Sequence, residues 1–249
     1  MSGTGQHYSV QLLLPHRVHL DAFTLVTMLR RWRGDVELAS CDREHVTVVI
    51  QTADLPLFVQ VFHTQPEAYA IPLTDALLWS TTWNERWEQT STRCPYSLVI
   101  AMKTQRPINY ASMLLAFLAV LDTTLAYLDD SEREHVVLHW IPAKQLLTFE
   151  QYRTLRTEHG PSGPAVNVRM ANATGRPGEL LADTVGLASL GLPDLQLIFS
   201  DRDPADVVGR LRAYVRRLFV GERIDCQWHE ESSYVPPYRD ALTLDLDLD

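Results

Sequence analysis

The chain of 249 residues has little cysteine, little positive charge and no long apolar run. Its three cysteines, Cys41, Cys94 and Cys226, are odd in number, and no pair has metal-ligand or redox spacing. We therefore expect reduced thiols, as in a cytoplasmic protein. The longest apolar run, 113–121, has nine residues, whereas a membrane-spanning helix needs about 20. We expect a buried helix there, in a soluble protein.

Positive charge is the scarcer sign, with 22 lysines and arginines against 31 acidic residues and a net charge of −9. We expect no nucleic-acid partner, because binding to the nucleic-acid backbone requires clustered Lys and Arg. An acidic surface suits solubility or a basic protein partner that is attracted by charge. No basic segment followed by an apolar run opens the sequence, so we expect no secretory signal peptide.

Several motifs that carry chemistry are also missing. The sequence contains neither G-x-G-x-x-G nor G-x-x-x-x-G-K-[ST], which cradle phosphates, and no G-x-S-x-G elbow. We therefore predict no catalytic, cofactor-binding or metal-binding residues and expect a protein that is not an enzyme. The alternative is a hydrolase-like enzyme that uses Cys226 with His229 or a His/Asp cluster such as His16, His19 and Asp21.

His135 and His139 form a second histidine pair, on a predicted strand over 134–142. At a spacing of four residues they would share one face of that strand. An acid–base pair needs a geometry that sequence does not reveal, so we favour an ordinary structural role for both.

What the sequence does contain is enough apolar residues for a core, at 46%, with 21% charged residues. Helical and strand patterns are interleaved, and several predicted strands follow one another directly. This order favours an α+β fold of antiparallel sheets with helices packed on one face, in roughly two ferredoxin-like (split βαβ) units. We expect one compact protein over 1–249, or two packed halves, 1–92 and 93–249.

Three helices have clear sequence signals. A helix from Asp203 to Gly221 has an N-cap, a proline in its first turn and a complete apolar face. A second helix has a Thr148–Gln151 capping box and ends at Gly160. In a third, over 21–34, the helical spacing predicts a buried face of Phe23, Val26, Leu29 and Trp32 or Arg33.

The stretch 180–199, LLADTVGLASLGLPDLQLIF, is the most distinctive in the chain. We interpret it as a helix–turn–strand connector in which two glycines permit tight turns. Asp183, Thr184 and Asp194 form a candidate cluster there, but we favour a structural role, because carboxylates in a turn usually accept hydrogen bonds from backbone amides.

This stretch, preceded by VNVRM, resembles the C-terminal signature of DUF4261, an uncharacterised family of bacterial proteins. The segments AIPLTDALLWSTTWNERW and YSLVIAM also resemble such proteins, so the likeness covers roughly residues 70–249. It implies a bacterial cytosolic α+β domain and brings no catalytic residues with it. It also suggests a gene neighbourhood of contractile secretion systems or toxin–immunity loci.

Aromatic and acidic residues provide the candidates for a protein interface. The tryptophans Trp79, Trp83 and Trp87 fall at i, i+4 and i+8 of a predicted helix; their shared face belongs to the core, or to an interface if it is exposed. Further candidates lie in the loop 228–240 and in the alternating tail, a predicted strand: Trp228, Tyr234, Tyr238, Asp245 and Asp247.

The sequence therefore favours a non-enzymatic, protein-binding module of the bacterial cytosol. Its most concrete form is an immunity or accessory protein of a toxin or contractile secretion system, with a basic protein as partner. The binding module has two alternatives: the hydrolase-like enzyme described above and a structural subunit of a multiprotein assembly. A homo-oligomer is also compatible with the sequence.

Overall fold

Two β-sheets organise the computed structural model. It describes residues 6–32, 34–52, 56–69, 81, 83, 87–104, 110–173, 176–222, 227–228 and 241–243.

The larger sheet has seven strands, which are joined in the order β2-β3-β4-β5-β1-β6-β7. These strands are β1 (Gln6–Leu14), β2 (Val36–Cys41), β3 (His45–Ile50), β4 (Leu57–Thr64), β5 (Tyr96–Thr104), β6 (Val137–Trp140) and β7 (Gln145–Thr148). Every neighbouring pair is antiparallel. Strand β1 lies between β5 and β6, so it is hydrogen-bonded on both sides.

The smaller sheet has five strands in the order β11-β12-β10-β9-β8. They are β8 (Asn167–Asn172), β9 (Leu180–Val185), β10 (Asp194–Phe199), β11 (Gln227–Trp228) and β12 (Ala241–Thr243). Only the β10–β12 pair is parallel among these described strands. The α+β class with antiparallel sheets is confirmed, whereas the ferredoxin-like units and the halves 1–92 and 93–249 stay predictions. The larger sheet takes strands from both ranges.

The described helices are mostly short, apart from two long ones at α3 and α7. They are α1 (Ala22–Trp32), α2 (Trp87–Arg93), α3 (Tyr110–Tyr127), α4 (Asp130–Glu134), α5 (Phe149–His159), α6 (Ser162–Ala165) and α7 (Pro204–Phe219). Single 3-10 turns occupy Pro66–Tyr69 and Ala188–Leu190. Among the described residues, no helix is long and apolar enough to cross a membrane.

The main core lies between the larger sheet and helices α1, α3 and α5, which pack on one of its faces. The Trp140 indole N–H donates a hydrogen bond of 2.7 Å to the Tyr8 hydroxyl, and the Phe117 ring meets the Tyr8 ring edge-on at 5.0 Å. This hydrogen bond gives the buried indole N–H of Trp140 a partner inside the protein, as a buried tryptophan usually requires. Helix α7 covers the smaller sheet in the same way, through Val207, Leu211 and neighbouring apolar residues.

Local sequence signals place the ends of α5 and α7. The Thr148 hydroxyl accepts a hydrogen bond from the Gln151 N–H, and the Gln151 side chain accepts one from the Thr148 N–H. Gly160 ends α5 with a φ of 67°. Asp203 caps the start of α7 by accepting the Ala205 N–H at 2.9 Å. The predicted capping box and both caps are therefore confirmed.

The predicted buried face of α1 is wrong at both ends. Phe23 is 73% exposed and Trp32 is 71% exposed. The buried residues are Ala22, Leu25, Val26 and Leu29. They follow i, i+3, i+4, i+7 spacing from Ala22, so the apolar stripe begins one residue earlier than predicted.

Candidate functional site

Trp83 does not share a helical face with Trp87, as the tryptophan stripe predicted, and Trp79 lies outside the described residues. Trp83 lies outside any helix, and the described helix α2 begins only at Trp87. Nearby, Thr81 donates its hydroxyl to the Val168 carbonyl at 2.9 Å, which ties this segment to β8. Helical spacing did not predict the structure at Thr81 and Trp83, where this tertiary hydrogen bond holds the segment against β8.

Trp83 itself is buried and belongs to the core, the first of the two roles that the sequence analysis allows for the tryptophans. It is 7% exposed and packs with Leu13, Val137 and Leu146 on the face of the larger sheet opposite α1 and α3. Cys94 completes this small cluster, with its Sγ 3.8 Å from the His135 carbonyl. An indole buried in this way is not available to a partner protein.

Most of the other interface candidates lie outside the described residues. Trp79, Tyr234, Tyr238, Asp245 and Asp247 lie outside the described residues, as do Cys226 and His229. The structure gives only the backbone of Trp87, in α2, and of Trp228, in β11. Their role in an interface stays a prediction.

The two histidines of the predicted strand are separated. His135 is an exposed residue at the C-terminal end of α4, whereas His139 is buried in β6. The His139 Nδ1 lies 3.0 Å from Gln11 Oε1, and Gln11 Nε2 donates to the Pro66 carbonyl at 3.1 Å. Burial lowers the pKa of His139 to about 4, so this imidazole is neutral at physiological pH. The predicted shared face is wrong, because the strand begins only after His135.

The segment 180–199 is a strand–turn–strand unit, and the predicted helix–turn–strand connector is wrong. Its first part forms β9, and Gly191 caps the 3-10 turn with a φ of 77°. Strand β9 is buried along nearly its whole length. Both faces of the strand are therefore covered, which hides the alternation that normally marks a strand in sequence.

Within this unit, Asp194 holds the turn. Its Oδ1 accepts the Leu187 N–H at 3.0 Å and the Thr184 hydroxyl at 3.3 Å. Burial raises the pKa of Asp194 to about 7, against the effect of these donors. The expectation that a carboxylate here binds backbone amides is confirmed.

Asp183, by contrast, belongs to a buried ion pair across two strands. The Arg169 Nε donates to Asp183 Oδ1 at 2.9 Å, and a second guanidinium nitrogen contacts Oδ2. Gln196 is the next residue in register, on β10, and all three side chains are buried. Burial raises the pKa of Asp183, and Arg169 opposes that rise. The predicted cluster of Asp183, Thr184 and Asp194 therefore divides into two separate contacts.

These titratable groups lie inside the protein, where each has a hydrogen-bonded partner. None of Tyr8, His139, Asp183 and Asp194 lines the larger described cavities. A catalytic acid or base must come within hydrogen-bonding distance of a substrate. No group of three His, Cys, Asp or Glu side chains that could hold a metal ion occurs among the described residues.

The largest described cavity is an open groove along α4 and α5, with a volume of about 990 Å³. We call it the α4–α5 groove. The residues lining it are Asp130, Arg133, Glu134, Thr148, Phe149, Glu150, Arg153, Thr154, Thr157 and Glu158. Both helices begin with a capping box, at Asp129 and at Thr148, so the two walls have fixed starting points.

Phe149 provides the apolar centre of the α4–α5 groove. Two guanidinium groups lie close to its half-buried ring, with the Arg133 Cζ 5.8 Å and the Arg153 Cζ 5.9 Å from the ring centroid. Such cation–π contacts hold an aromatic ring in place and keep the arginines over its faces. The groove thus combines an ordered aromatic surface with charged walls, a composition common in protein-binding sites.

The charges on the groove walls are unbalanced towards acid. Four carboxylates line it against two arginines, and Arg133 is already engaged. Arg133 donates to the carbonyls of Leu125 and Leu128 at 2.9 and 2.7 Å, and it pairs with Asp130 at 3.2 Å. Glu134, Glu150 and Glu158 are exposed and outnumber the exposed Arg153, so the accessible charge of the groove is acidic.

The sequence prediction missed this groove, although part of its signal was visible. The Thr148 capping box predicted where α5 begins, and Phe149 is an aromatic residue in its first turn. The sequence does not show that α4, which β6 and β7 separate from α5 in the chain, packs beside α5 and places Arg133 against Phe149. That contact depends on tertiary structure.

No protein-family model, no curated protein and no solved structure gives a significant match to the chain. The resemblance to DUF4261 stays a prediction.

Proposed function

We propose that the protein is a non-enzymatic binding module and that the α4–α5 groove receives a basic segment of a partner protein. The observation that carries this proposal is the groove itself, with an ordered Phe149 ring at its centre and a surplus of carboxylates along its walls. Its volume of about 990 Å³ is large enough for several side chains of a bound segment.

The chemistry of the groove favours lysine or arginine on the partner. Glu134 and Glu150 offer acceptors for charge-assisted hydrogen bonds. The half-buried Phe149 ring offers an apolar surface for the stem of a long basic side chain. The net charge of −9 adds a long-range attraction for the same kind of partner.

The location of the unusual titratable groups supports a binding function over catalysis. His139 and Asp194 are enclosed by the two sheets and hydrogen-bonded there, away from the groove. In an enzyme, groups with shifted pKa values generally face a substrate cleft. The hydrolase-like alternative, which rests on Cys226 and His229, stays a prediction, as does a structural subunit.

We further propose a cytoplasmic protein of bacterial origin that acts as an immunity or accessory component of a toxin or contractile secretion system. This more specific proposal depends on the resemblance of 180–199 and its preceding segment to DUF4261. It agrees with the acidic composition and with a basic protein as the partner.

Site-specific photo-crosslinking in the source organism tests the groove. A photoreactive amino acid replaces Thr154, which is exposed in the groove, or Ala213, which is exposed on α7. We expect one defined protein, rich in lysine or arginine, to be cross-linked from Thr154 and not from Ala213. Equal capture from both positions, or none from either at native expression, would contradict the proposal.

A further inference from the structure

A second cavity, of about 320 Å³, lies where three connections of the larger sheet meet. They are the β1–α1 loop, the β2–β3 turn and the end of β4. The residues lining it are Arg17, Val18, His19, Arg43, Glu44 and His63. We call it the basic pocket. It shares no residue with the α4–α5 groove, so the two sites can be tested independently.

The backbone around the basic pocket is held by hydrogen bonds from several elements. The His63 N–H donates to the Glu44 carbonyl at 3.0 Å, and the Glu44 N–H donates to Asp42 Oδ1 at 2.8 Å. On the opposite wall, the Tyr127 hydroxyl donates to the His19 carbonyl at 2.9 Å. These bonds join the turn to β4 and the loop to α3, so the walls are preformed.

The pocket concentrates positive charge in a protein whose net charge is −9. Two arginines and two histidines line it, against one carboxylate, Glu44. Arg17 forms an ion pair with Glu44. Arg43 forms no ion pair with another residue that the structure describes. An anionic ligand at the pocket would give this guanidinium a charge-assisted hydrogen bond.

His63 forms the inner wall and responds to the charges around it. Burial lowers its pKa, and the neighbouring Arg17 lowers it further. Glu44 and the carbonyls of Val18 and Ser97 favour the charged imidazole and act against that shift. An anion bound in the pocket would add to these favourable contacts and raise the pKa of His63.

We propose that the basic pocket binds a small phosphate monoester. The phosphate accepts hydrogen bonds from the guanidinium of Arg43 and from the imidazole of His19, its charge lies beside the His63 ring, and Val18 contacts the organic group. A phosphate dianion offers more acceptor oxygens and more charge than a carboxylate, which suits a site with two guanidinium groups and two imidazoles. The volume exceeds that of phosphate alone, so a small organic substituent fits.

Nuclear magnetic resonance of labelled histidines tests this proposal, with phenyl phosphate as the probe at neutral pH and low salt. We expect saturable shifts of the His19 and His63 imidazole signals and a rise in the pKa of His63 when phenyl phosphate is bound. Arg43→Ala should weaken binding by about tenfold or more, because a charged hydrogen bond is lost. Arg210→Ala, an exposed arginine on α7, is the matched control and should bind as the wild type does.

Three results would overturn the proposal, and each points to a different error. Shifts that never saturate, or that persist in Arg43→Glu with its fold intact by circular dichroism, would mean that no site exists. Equally tight binding of benzoate would mean that the pocket does not select phosphate. Much tighter binding of a capped phosphoserine tripeptide than of phenyl phosphate would assign the pocket to a modified protein and not to a small molecule.

Discussion

At Gly186 both the backbone conformation and the surrounding atoms disfavour any side chain. Its φ of 120° is rarely adopted by residues with a side chain, and an added Cβ would lie 2.6 Å from the Ala165 carbonyl oxygen. We expect Gly186→Ala to lower the free energy of unfolding by about 2–4 kcal/mol, from strain and overlap combined. Denaturant unfolding followed by circular dichroism measures this loss.

Gly209 is the matched control for that substitution. It lies in α7, and nothing stands within 4 Å of the position of an added Cβ. Gly209→Ala should therefore stabilise the protein by about 0.5–1 kcal/mol, because alanine is the better helix former. A loss of similar size in both variants would show that the close approach at Gly186 is not the cause.

His139 makes a prediction about pH. Its pKa of about 4 in the folded protein lies below the ordinary value of 6.5, so the unfolded chain binds the extra proton between these values. The stability that depends on neutral His139 is therefore lost as the pH falls. From pH 7 to pH 5 we expect a loss of about 2 kcal/mol.

The comparison with His139→Gln isolates this effect from other titrating groups, including Asp194, whose raised pKa acts in the opposite direction. Glutamine can still hydrogen-bond to Gln11 but does not titrate. The wild type should lose about 2 kcal/mol of its advantage over this variant between pH 7 and pH 5. An advantage that stays constant over this range would show that His139 is not buried as a neutral imidazole.

At the scale of the elements, β8 and β9 are joined by the buried pair of Arg169 and Asp183. Asp183→Asn leaves the Arg169 charge buried without its carboxylate, so we expect a loss of about 3–5 kcal/mol in thermal or denaturant unfolding. Glu179→Gln removes the partner of Arg176 in an exposed pair and should cost less than about 1 kcal/mol. Equal effects would mean that burial does not govern the strength of these pairs.

The elements also show where sequence reasoning succeeds and fails. The N-termini of α5 and α7 were predictable because Thr148 and Asp203 form hydrogen bonds with residues nearby in the chain. Strand β9 was missed because it is buried on both faces. Trp83 was misplaced in a helix because its position depends on distant packing against Leu13. Neither the burial of β9 on both faces nor the packing of Trp83 produces a periodic pattern in the sequence.

The candidate sites follow the same division. Composition alone predicted an acidic protein with a basic partner, and the acidic walls of the α4–α5 groove agree with that expectation. The residues of the groove were not predicted, because Arg133 and Phe149 come together only when α4 packs beside α5. The basic pocket joins three segments that are distant in sequence, so no single motif marks it.

At the scale of the whole molecule, two surface features of opposite charge occur on one scaffold. The α4–α5 groove is lined mainly by carboxylates, and the basic pocket by arginines and histidines. The buried polar groups are hydrogen-bonded inside the protein: His139 lies against Gln11, and Asp183 accepts from Arg169. We therefore propose that binding occurs at the surface and that the buried charges have structural roles.

The most direct measurement is quantitative co-purification from the source organism with the groove charge reversed. Glu134→Lys/Glu150→Lys changes two exposed acids in the groove, and Asp35→Lys/Glu37→Lys changes two exposed acids elsewhere by the same charge. We expect the groove variant to retain less than about a tenth of the basic partner, since a steered charged contact becomes repulsive, while the control retains most of it. Equal retention by both variants would contradict the assignment of the α4–α5 groove.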